Sequence, residues 1–334
     1  MEKVRLQSLL TGFADRKVLV VGDCMLDEYL WGRVTRISPE APVPVVELVE
    51  TTYAAGGASN VAANIVSLGG QASLVAIVGE DVLAGTLREQ LSLRGIRHDG
   101  LVADAARPTT VKTRVMAHNQ QMIRVDRERR TPATLEVSAR LIQAVEDQLD
   151  WADALVFSDY SKGTLCEEVV LSLTQAAHRR GRLVFANAKP GSIGWYQHAD
   201  LISLNQVEAE TVTGLSLAAI ESVHLAGERI MELCRAHAVV ITLGGRGLAV
   251  FQRGAPARHL PVLPLDVYDP CGCGDSAIAA AALARVAGAD WVEAATLANL
   301  AGNAKVRKLG IVAITRPEIE GVWAVSDAIA NGTR

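Results

Sequence analysis

The sequence predicts an α/β fold: a doubly wound, mostly parallel sheet flanked by helices, with a small β-sheet lid. Three observations predict it. Short β-branched apolar runs recur along the 334 residues, helix-length amphipathic segments lie between them, and two Pro- and Val-rich stretches interrupt the alternation.

The first apolar run, residues 17–22, reads Lys-Val-Leu-Val-Val-Gly and has no polar alternation, as expected of a parallel strand buried on both faces. Similar runs stand at 72–78, 154–157, 183–186, 201–204 and 239–243. Amphipathic helical spacing covers 58–68, 82–94, 135–149, 167–180 and 220–237. The stretches 33–52 and 109–126 alternate instead with period two, and Pro39, Pro42 and Pro44 suit an exposed ribbon. They are expected to form the small sheet as two insertions, leaving 1–32, 53–108 and 127–334 as the α/β domain; a β-excursion without function would look the same. A further strand is expected at 265–268, followed by helices at 276–286, 291–306 and 317–325.

Composition narrows the function. With 49% hydrophobic residues, 28 Gly and 11 Pro dispersed along the chain, disorder and repeat arrays are excluded. The 33 basic and 37 acidic side chains give a net charge of −4, which argues against nucleic acid as a partner. No apolar run approaches the roughly 18 residues that span a bilayer, and Met1-Glu2-Lys3-Val4-Arg5 does not open a signal peptide. Five cysteines (24, 166, 234, 271 and 273) without a repeated pair suggest a reduced, cytoplasmic protein, and Cys271-Gly-Cys273 lacks a second ligand pair for zinc. None of the seven lysines follows a glycine, so the P-loop ending is absent.

Chemistry concentrates at Asp269-Pro-Cys-Gly272-Cys273-Gly274-Asp275-Ser276, directly before a small-residue helix. Glycines there let N–H groups converge at a helix start, a site for an anion. Asp275 is either the helix cap or a base that takes a hydroxyl proton during attack on a phosphoryl group. The same octet meets the loose Gly272-x-Gly274-x-x-Ala277 dinucleotide fingerprint of an NAD-binding oxidoreductase, although a helix rather than a strand follows the expected helix. Gly22-Asp23-Cys-Met-Leu-Asp27 places two carboxylates after the first strand, as acceptors for ligand hydroxyls. Gly56-Gly57-Ala-Ser-Asn60 opens a helix that Asn60 caps or from which it holds a sugar hydroxyl. Asn205 and Glu208 form either a capping box or a Mg²⁺ site, and Thr242-Leu-Gly244-Gly-Arg-Gly247 reads alone as a hairpin turn.

Taken in order, Gly56-Gly57 with Asn60, Asn205-x-x-Glu208, Thr242-Leu-Gly244-x-x-Gly247 and Asp269-x-x-Gly272-x-Gly274-Asp275 resemble the ribokinase family of sugar kinases, over essentially the whole chain. The resemblance implies a ribokinase-like fold, ATP as co-substrate, Mg²⁺, room for a monovalent cation, and phosphoryl transfer to a hydroxyl. Within the family, Arg36-Ile-Ser-Pro-Glu40-Ala-Pro-Val-Pro-Val45, Asn119-Gln-Gln-Met-Ile-Arg124-Val-Asp126, Ser158-Asp-Tyr-Ser-Lys162-Gly163 and Lys308-Leu-Gly310 are similar to its heptose 7-phosphate kinase branch, and the resemblance implies a stand-alone kinase without the nucleotidyltransferase domain of the bifunctional relatives. Carried over by motif, the resemblance makes Asp275 the base and Gly272, Cys273 and Gly274 the anion hole. Asn205, Glu208, Thr242, Gly244, Gly247, Asn299 and Asn303 then serve the nucleotide, with Glu208 toward the metal. Asp27, Gly57 and Asn60 grip the sugar, and Lys112, Arg114, Arg124, Lys162 and Lys189 are candidates for its phosphate. Cys271 and Cys273 replace the family's Thr and Ala, and Asn187 replaces an Asp before Lys189. Exposed strand edges in the lid predict a homodimer through it.

Overall fold

A computed structural model describes residues 1–118, 120–262 and 268–330. The chain runs α1 (Lys3–Thr11), β1 (Lys17–Gly22), β2 (Cys24–Ile37), β3 (Pro44–Gly57), α2 (Ala58–Ser67), β4 (Gln71–Val78), α3 (Val82–Leu93) and β5 (Arg97–Ala103). It continues through β6 (Val111–Ala117), β7 (Gln120–Arg127), α4 (Leu135–Leu149), β8 (Ala154–Ser158), α5 (Glu167–Arg179), β9 (Leu183–Asn187), β10 (Leu201–Asn205) and α6 (Gln206–Thr213). It ends with α7 (Ile220–Leu233), β11 (Ala238–Thr242), β12 (Leu248–Gln252), β13 (Ala255–Leu260), α8 (Cys273–Val286), α9 (Trp291–Lys305) and α10 (Arg316–Ala330).

Among the described residues the strands form a nine-stranded sheet, ordered β13-β12-β11-β10-β9-β8-β1-β4-β5, and a separate four-stranded sheet, β3-β2-β6-β7. The large sheet is parallel from β5 to β11. Only the hairpins to β12 and β13 are antiparallel. Successive residues of β1 face opposite layers: Val18 and Val20 pack with α1, α2, α8 and α9, whereas Leu19 and Val21 pack with α4, α5 and α7. That two-sided burial is why the parallel strands are legible as unbroken apolar runs.

The small sheet overruns the expected insertions. β2 starts at Cys24 and β3 ends at Gly57, so the residues expected as a crevice loop are already strand, pulled in by buried Met25 and Leu26. β2 and β3 pair antiparallel, β2 runs parallel to β6, and β7 closes the edge. Of the expected strand at 265–268, residues 265–267 lie outside the described residues, as does Asn119. Helix α7 stops at Leu233, short of His237, because Arg235 turns at φ 49 to enter β11. No described helix is long and apolar enough to cross a membrane.

Candidate active site

The parallel sheet sets the site by register. Gly22 pairs with Ser158, Ser158 with Asn187, Ser203 with Asn187, and Asn205 with Thr242. The carboxyl ends of β1, β8, β9, β10 and β11 therefore open side by side, the crevice in which open α/β sheets bind ligands.

The start of α8 points into that crevice. Gly272 takes the cap position at φ 77, a left-handed conformation that disfavours any residue with a Cβ. A Cβ there would also sit 2.9 Å from Asn60 Nδ2. The amides of Gly272, Gly274 and Asp275 donate to no acceptor among the described residues, leaving convergent donors at a helix start. The Cys273 amide is turned back onto the Pro270 carbonyl at 3.2 Å, which corrects its place among the free donors. Asp275 is three residues into the helix and does not cap it; its side chain crosses to two other elements. Asn60 Nδ2 donates to Oδ2 at 2.7 Å and the Tyr160 hydroxyl to Oδ1 at 2.5 Å. The carboxyl is 3% exposed, and burial raises its pKa above the ordinary Asp value, opposed by those two hydrogen bonds. Asn60 is likewise no cap: Gly57, at φ 61, takes that position for α2, and Asn60 directs its amide to Asp275.

Asp23 is also reassigned. It is 1% exposed, and its carboxylate accepts the backbone N–H groups of Tyr160 (2.9 Å), Lys162 (3.0 Å) and Thr164 (3.0 Å). It clamps the loop that carries Tyr160. Glycines shape the neighbouring wall, since a Cβ on Gly56 would fall 1.9 Å from Asp27 Oδ2 and one on Gly57 2.3 Å from the Asp23 carbonyl.

On the other flank Asn205 and Glu208 do form a capping box at the start of α6, each side chain bonded to the other's backbone N–H. The second Glu208 oxygen is held by Lys189 Nζ. Each Glu208 oxygen thus already accepts one hydrogen bond. The Lys189 ammonium pairs with Glu208 and lies 5.4 Å from the centre of the Tyr160 ring, which places it on the Asp275 side. Thr242 ends β11 beside Asn205, and Gly244 (φ 57) and Gly247 (φ 89) make the turn into β12. A Cβ on Gly247 would meet the Leu260 carbonyl at 2.1 Å, so that turn also seats β13. On α9, Asn299 donates to the Pro261 carbonyl at 2.9 Å and Asn303 to the Asn299 carbonyl at 2.7 Å.

At the small sheet, Asp27 pairs in register with Lys112, and its carboxylate forms an ion pair with Arg114. Burial raises the Asp27 pKa against the pull of Arg114, and burial lowers that of Lys112 against the pull of Asp27. Lys162 and Arg124 both act on Lys112 electrostatically; Lys162 is paired with Glu128 at 2.7 Å and Arg124 with Asp126 at 2.8 Å. Lys112, Arg114 and Arg124 therefore act on Asp27, and Lys162 acts on Lys112; Arg114, Arg124 and Lys162 are each ion-paired with a carboxylate.

The family model for pfkB family carbohydrate kinases matches residues 15–317. The chain belongs to the pfkB family of carbohydrate kinases. It is 38% identical over 327 residues to the bifunctional protein HldE of Pelobacter propionicus, covering 98% of this chain and 67% of that protein. It is 41% identical over 315 residues to HldE of Caulobacter vibrioides, covering 94% and 65%. The chain thus spans about two thirds of the length of these relatives. Among solved structures, phosphofructokinase-2 of Escherichia coli in complex with potassium superposes with a TM-score of 0.76 at 19% identity, over 93% of this chain and 99% of that one. Arabidopsis thaliana ribokinase complexed with ribose and ATP gives 0.70 at 20%, over 93% and 98%. The fold is ribokinase-like.

A pfkB kinase uses ATP and, as a rule, Mg²⁺. The free amides at the Gly272–Asp275 turn suit a phosphate, and no group of three His, Cys, Asp or Glu able to cage a metal exists among the described residues. That fits an ion held mainly by phosphate oxygens and water. Sequence reasoning missed Tyr160 as a partner of the Asp275 carboxylate. The 158–163 segment stands out in the sequence only as a likeness, and no local spacing ties a loop tyrosine to an acid 115 residues away.

Proposed function

We propose that this carbohydrate kinase transfers the γ-phosphoryl group of ATP to O1 of D-glycero-D-manno-heptose 7-phosphate, giving the 1,7-bisphosphate that ADP-heptose synthesis for the lipopolysaccharide core requires. The observation that carries it is the buried Asp275 carboxylate, held by Asn60 and Tyr160 beside the unpaired amides of the α8 start. Asp275 takes the proton of the anomeric hydroxyl as O1 forms its bond to the γ-phosphorus and the bond to the ADP oxygen breaks. The amides of Gly272, Gly274 and Asp275 line the phosphate, with Cys273 as the small residue between them, and Lys189, tied to Glu208, brings a cation to the same side. Mg²⁺, when bound, neutralises charge on the phosphate oxygens. Catalysis is thus positioning plus electrostatics. Thr242, Gly244, Gly247, Asn205, Asn299 and Asn303 form the nucleotide flank.

Substrate choice is assigned to the small sheet. Asp27 accepts sugar hydroxyls beside Gly57 and Asn60, and Lys112, Arg114, Arg124 and Lys162 offer the cationic group that a phosphorylated sugar needs. A panel of heptose 7-phosphate, fructose 6-phosphate and ribose with ATP is expected to give turnover on the heptose alone, with the new phosphate on O1 by NMR. Preference for ribose or a nucleoside would replace this reading with that of a family kinase for another sugar. Tight NAD(H) binding without phosphoryl transfer would favour the oxidoreductase.

The same sheet is proposed as the dimer surface. Leu48 and Val49 on β3, and Met122, Ile123 and Val125 on β7, are exposed on its two edge strands. At micromolar concentration the native mass is expected to be twice the 35.5 kDa of one chain, and Ile123→Lys is expected to halve it. A wild-type monomer would refute this.

A further inference from the structure

Asn64, on the buried face of α2, is 0% exposed and uses every hydrogen-bonding position of its side-chain amide. Its Oδ1 accepts the Ile314 backbone N–H at 3.1 Å and the Ser276 hydroxyl at 2.9 Å. Its Nδ2 donates to the Asn60 carbonyl at 2.8 Å and to Asn60 Oδ1 at 3.3 Å. Three elements meet there: α2, α8 through Ser276, and the segment between α9 and α10 through Ile314. Main-chain groups that cannot change role fix the direction of these bonds. The Ile314 N–H only donates and the Asn60 carbonyl only accepts, so Asn64 has a single orientation. Asn60 then has to present Oδ1 to Asn64, which leaves its Nδ2 for Asp275 Oδ2 at 2.7 Å. Turned the other way, Asn60 would set its oxygen against the carboxylate and its nitrogen against the Asn64 nitrogen.

We propose that Asn64 is a positioning residue: it passes the polarity of the Ile314 N–H to Asn60 and so holds Asn60 as a hydrogen-bond donor to Asp275. This rests on the reading of Asp275 as the base. Asn64 itself touches no reacting atom. The bond that it secures goes to the ionised carboxyl and favours that form over the protonated one, so the network keeps a buried carboxyl ready to take a proton. The titratable groups that interact with Asp275 come from other elements and from α8 itself: Tyr160 from the loop after β8, Lys189 from the segment after β9, Asp27 from β2, and Cys273. α2 carries none of them. Replacing Asn64 therefore changes hydrogen bonding to Asp275 without removing a charge.

The test follows kcat/KM for the sugar against pH in wild type, in Asn64→Leu, which is of similar size and excludes water, and in Asn64→Ala, which lets water reach the Ile314 N–H and is expected to fold. A weakened donor raises the Asp275 pKa, so the acid limb is expected to move up by about 0.5–1 pH unit in Asn64→Leu, what weakening one hydrogen bond to a charged group is worth. Asn64→Ala is expected to move it in the same direction by less, and the KM for ATP is expected to stay unchanged in both. Leu173→Ala, a core truncation on α5 in the opposite helix layer, is the control for general loosening: its melting midpoint is expected to fall with the limb in place. An unmoved or lowered limb in the folded Asn64 variants, or an equal rise in Leu173→Ala, would overturn the proposal alone. Full turnover of Asp275→Asn would overturn the reading of the base and this inference together.

Discussion

Replacing Asp275 by Asn will lower kcat by about 10²–10⁴-fold, the usual worth of a general base, while leaving the protein at least as stable as wild type. The two halves share one cause. Burial lifts the folded-state pKa of Asp275 above the ordinary value of 3.8, so the native state holds the proton more tightly than the unfolded chain does. Stability contributed by the protonated carboxyl is complete below the unfolded pKa and is lost as pH rises through the native one. At neutral pH the ionised carboxylate is therefore a net cost to the fold, one that the neutral amide removes. The substituted amide can still accept from Asn60 through its oxygen and meet the Tyr160 hydroxyl through its nitrogen, so packing is kept. The wild-type kcat/KM profile follows from the same sign: activity needs the ionised base, so the acid limb lies above the range of a free aspartate. Because Asp27 also acts on Asp275, that limb is a property of the pair. Retention of more than a tenth of wild-type kcat by Asp275→Asn, or a markedly lower melting midpoint, would refute this account.

What the sequence made legible follows from burial. β1, β4, β8, β9, β10 and β11 are covered on both faces, so their runs are apolar throughout. β5 begins Arg97-His98-Asp99-Gly100 at the sheet edge, where nothing demands apolar residues, and it gave no signal. β13 is the opposite edge, equally polar, and α1 offers only Leu6, Leu9 and Leu10 on one short face. The site residues divide in the same way. Glycines and Asp275 stand in a compact string whose chemistry is local, so order and spacing could point to them. The partners of Asp275 are tertiary: Asn60 lies 215 residues away and Tyr160 115. Asn60 reads as a cap because it follows a glycine pair, and only the φ of Gly57 shows that the glycine already holds that position. Lys189 reads as a free cation until the β9 and β10 ends bring Glu208 to it.

Asp23 carries the second large effect, and it acts at a distance from the chemistry. Asp23→Ala leaves the N–H groups of Tyr160, Lys162 and Thr164 without their acceptor, in a place with little access for water. At about 1–3 kcal/mol for each buried donor left unpaired, with some relaxation of the loop, the fold should lose about 2–5 kcal/mol. The loop has little reason to keep its shape without the clamp, since Ser161 sits at φ 54, left-handed and unfavourable for a residue with a Cβ. Asn at position 23 is a poor substitute, because its amide N–H₂ would face donors where a carboxylate oxygen now accepts. Turnover should fall as well, because Tyr160 is placed on Asp275 by this loop, and the fall should appear in kcat more than in the KM for sugar. Tyr160→Phe provides the control. If Asp23 acts through Tyr160, the kcat losses of Asp23→Ala and Tyr160→Phe will not add, and the double variant will be no slower than the worse single one. Additive losses would mean that Asp23 supports the site by another route, and unchanged melting of Asp23→Ala would mean that the three bonds are replaceable by water.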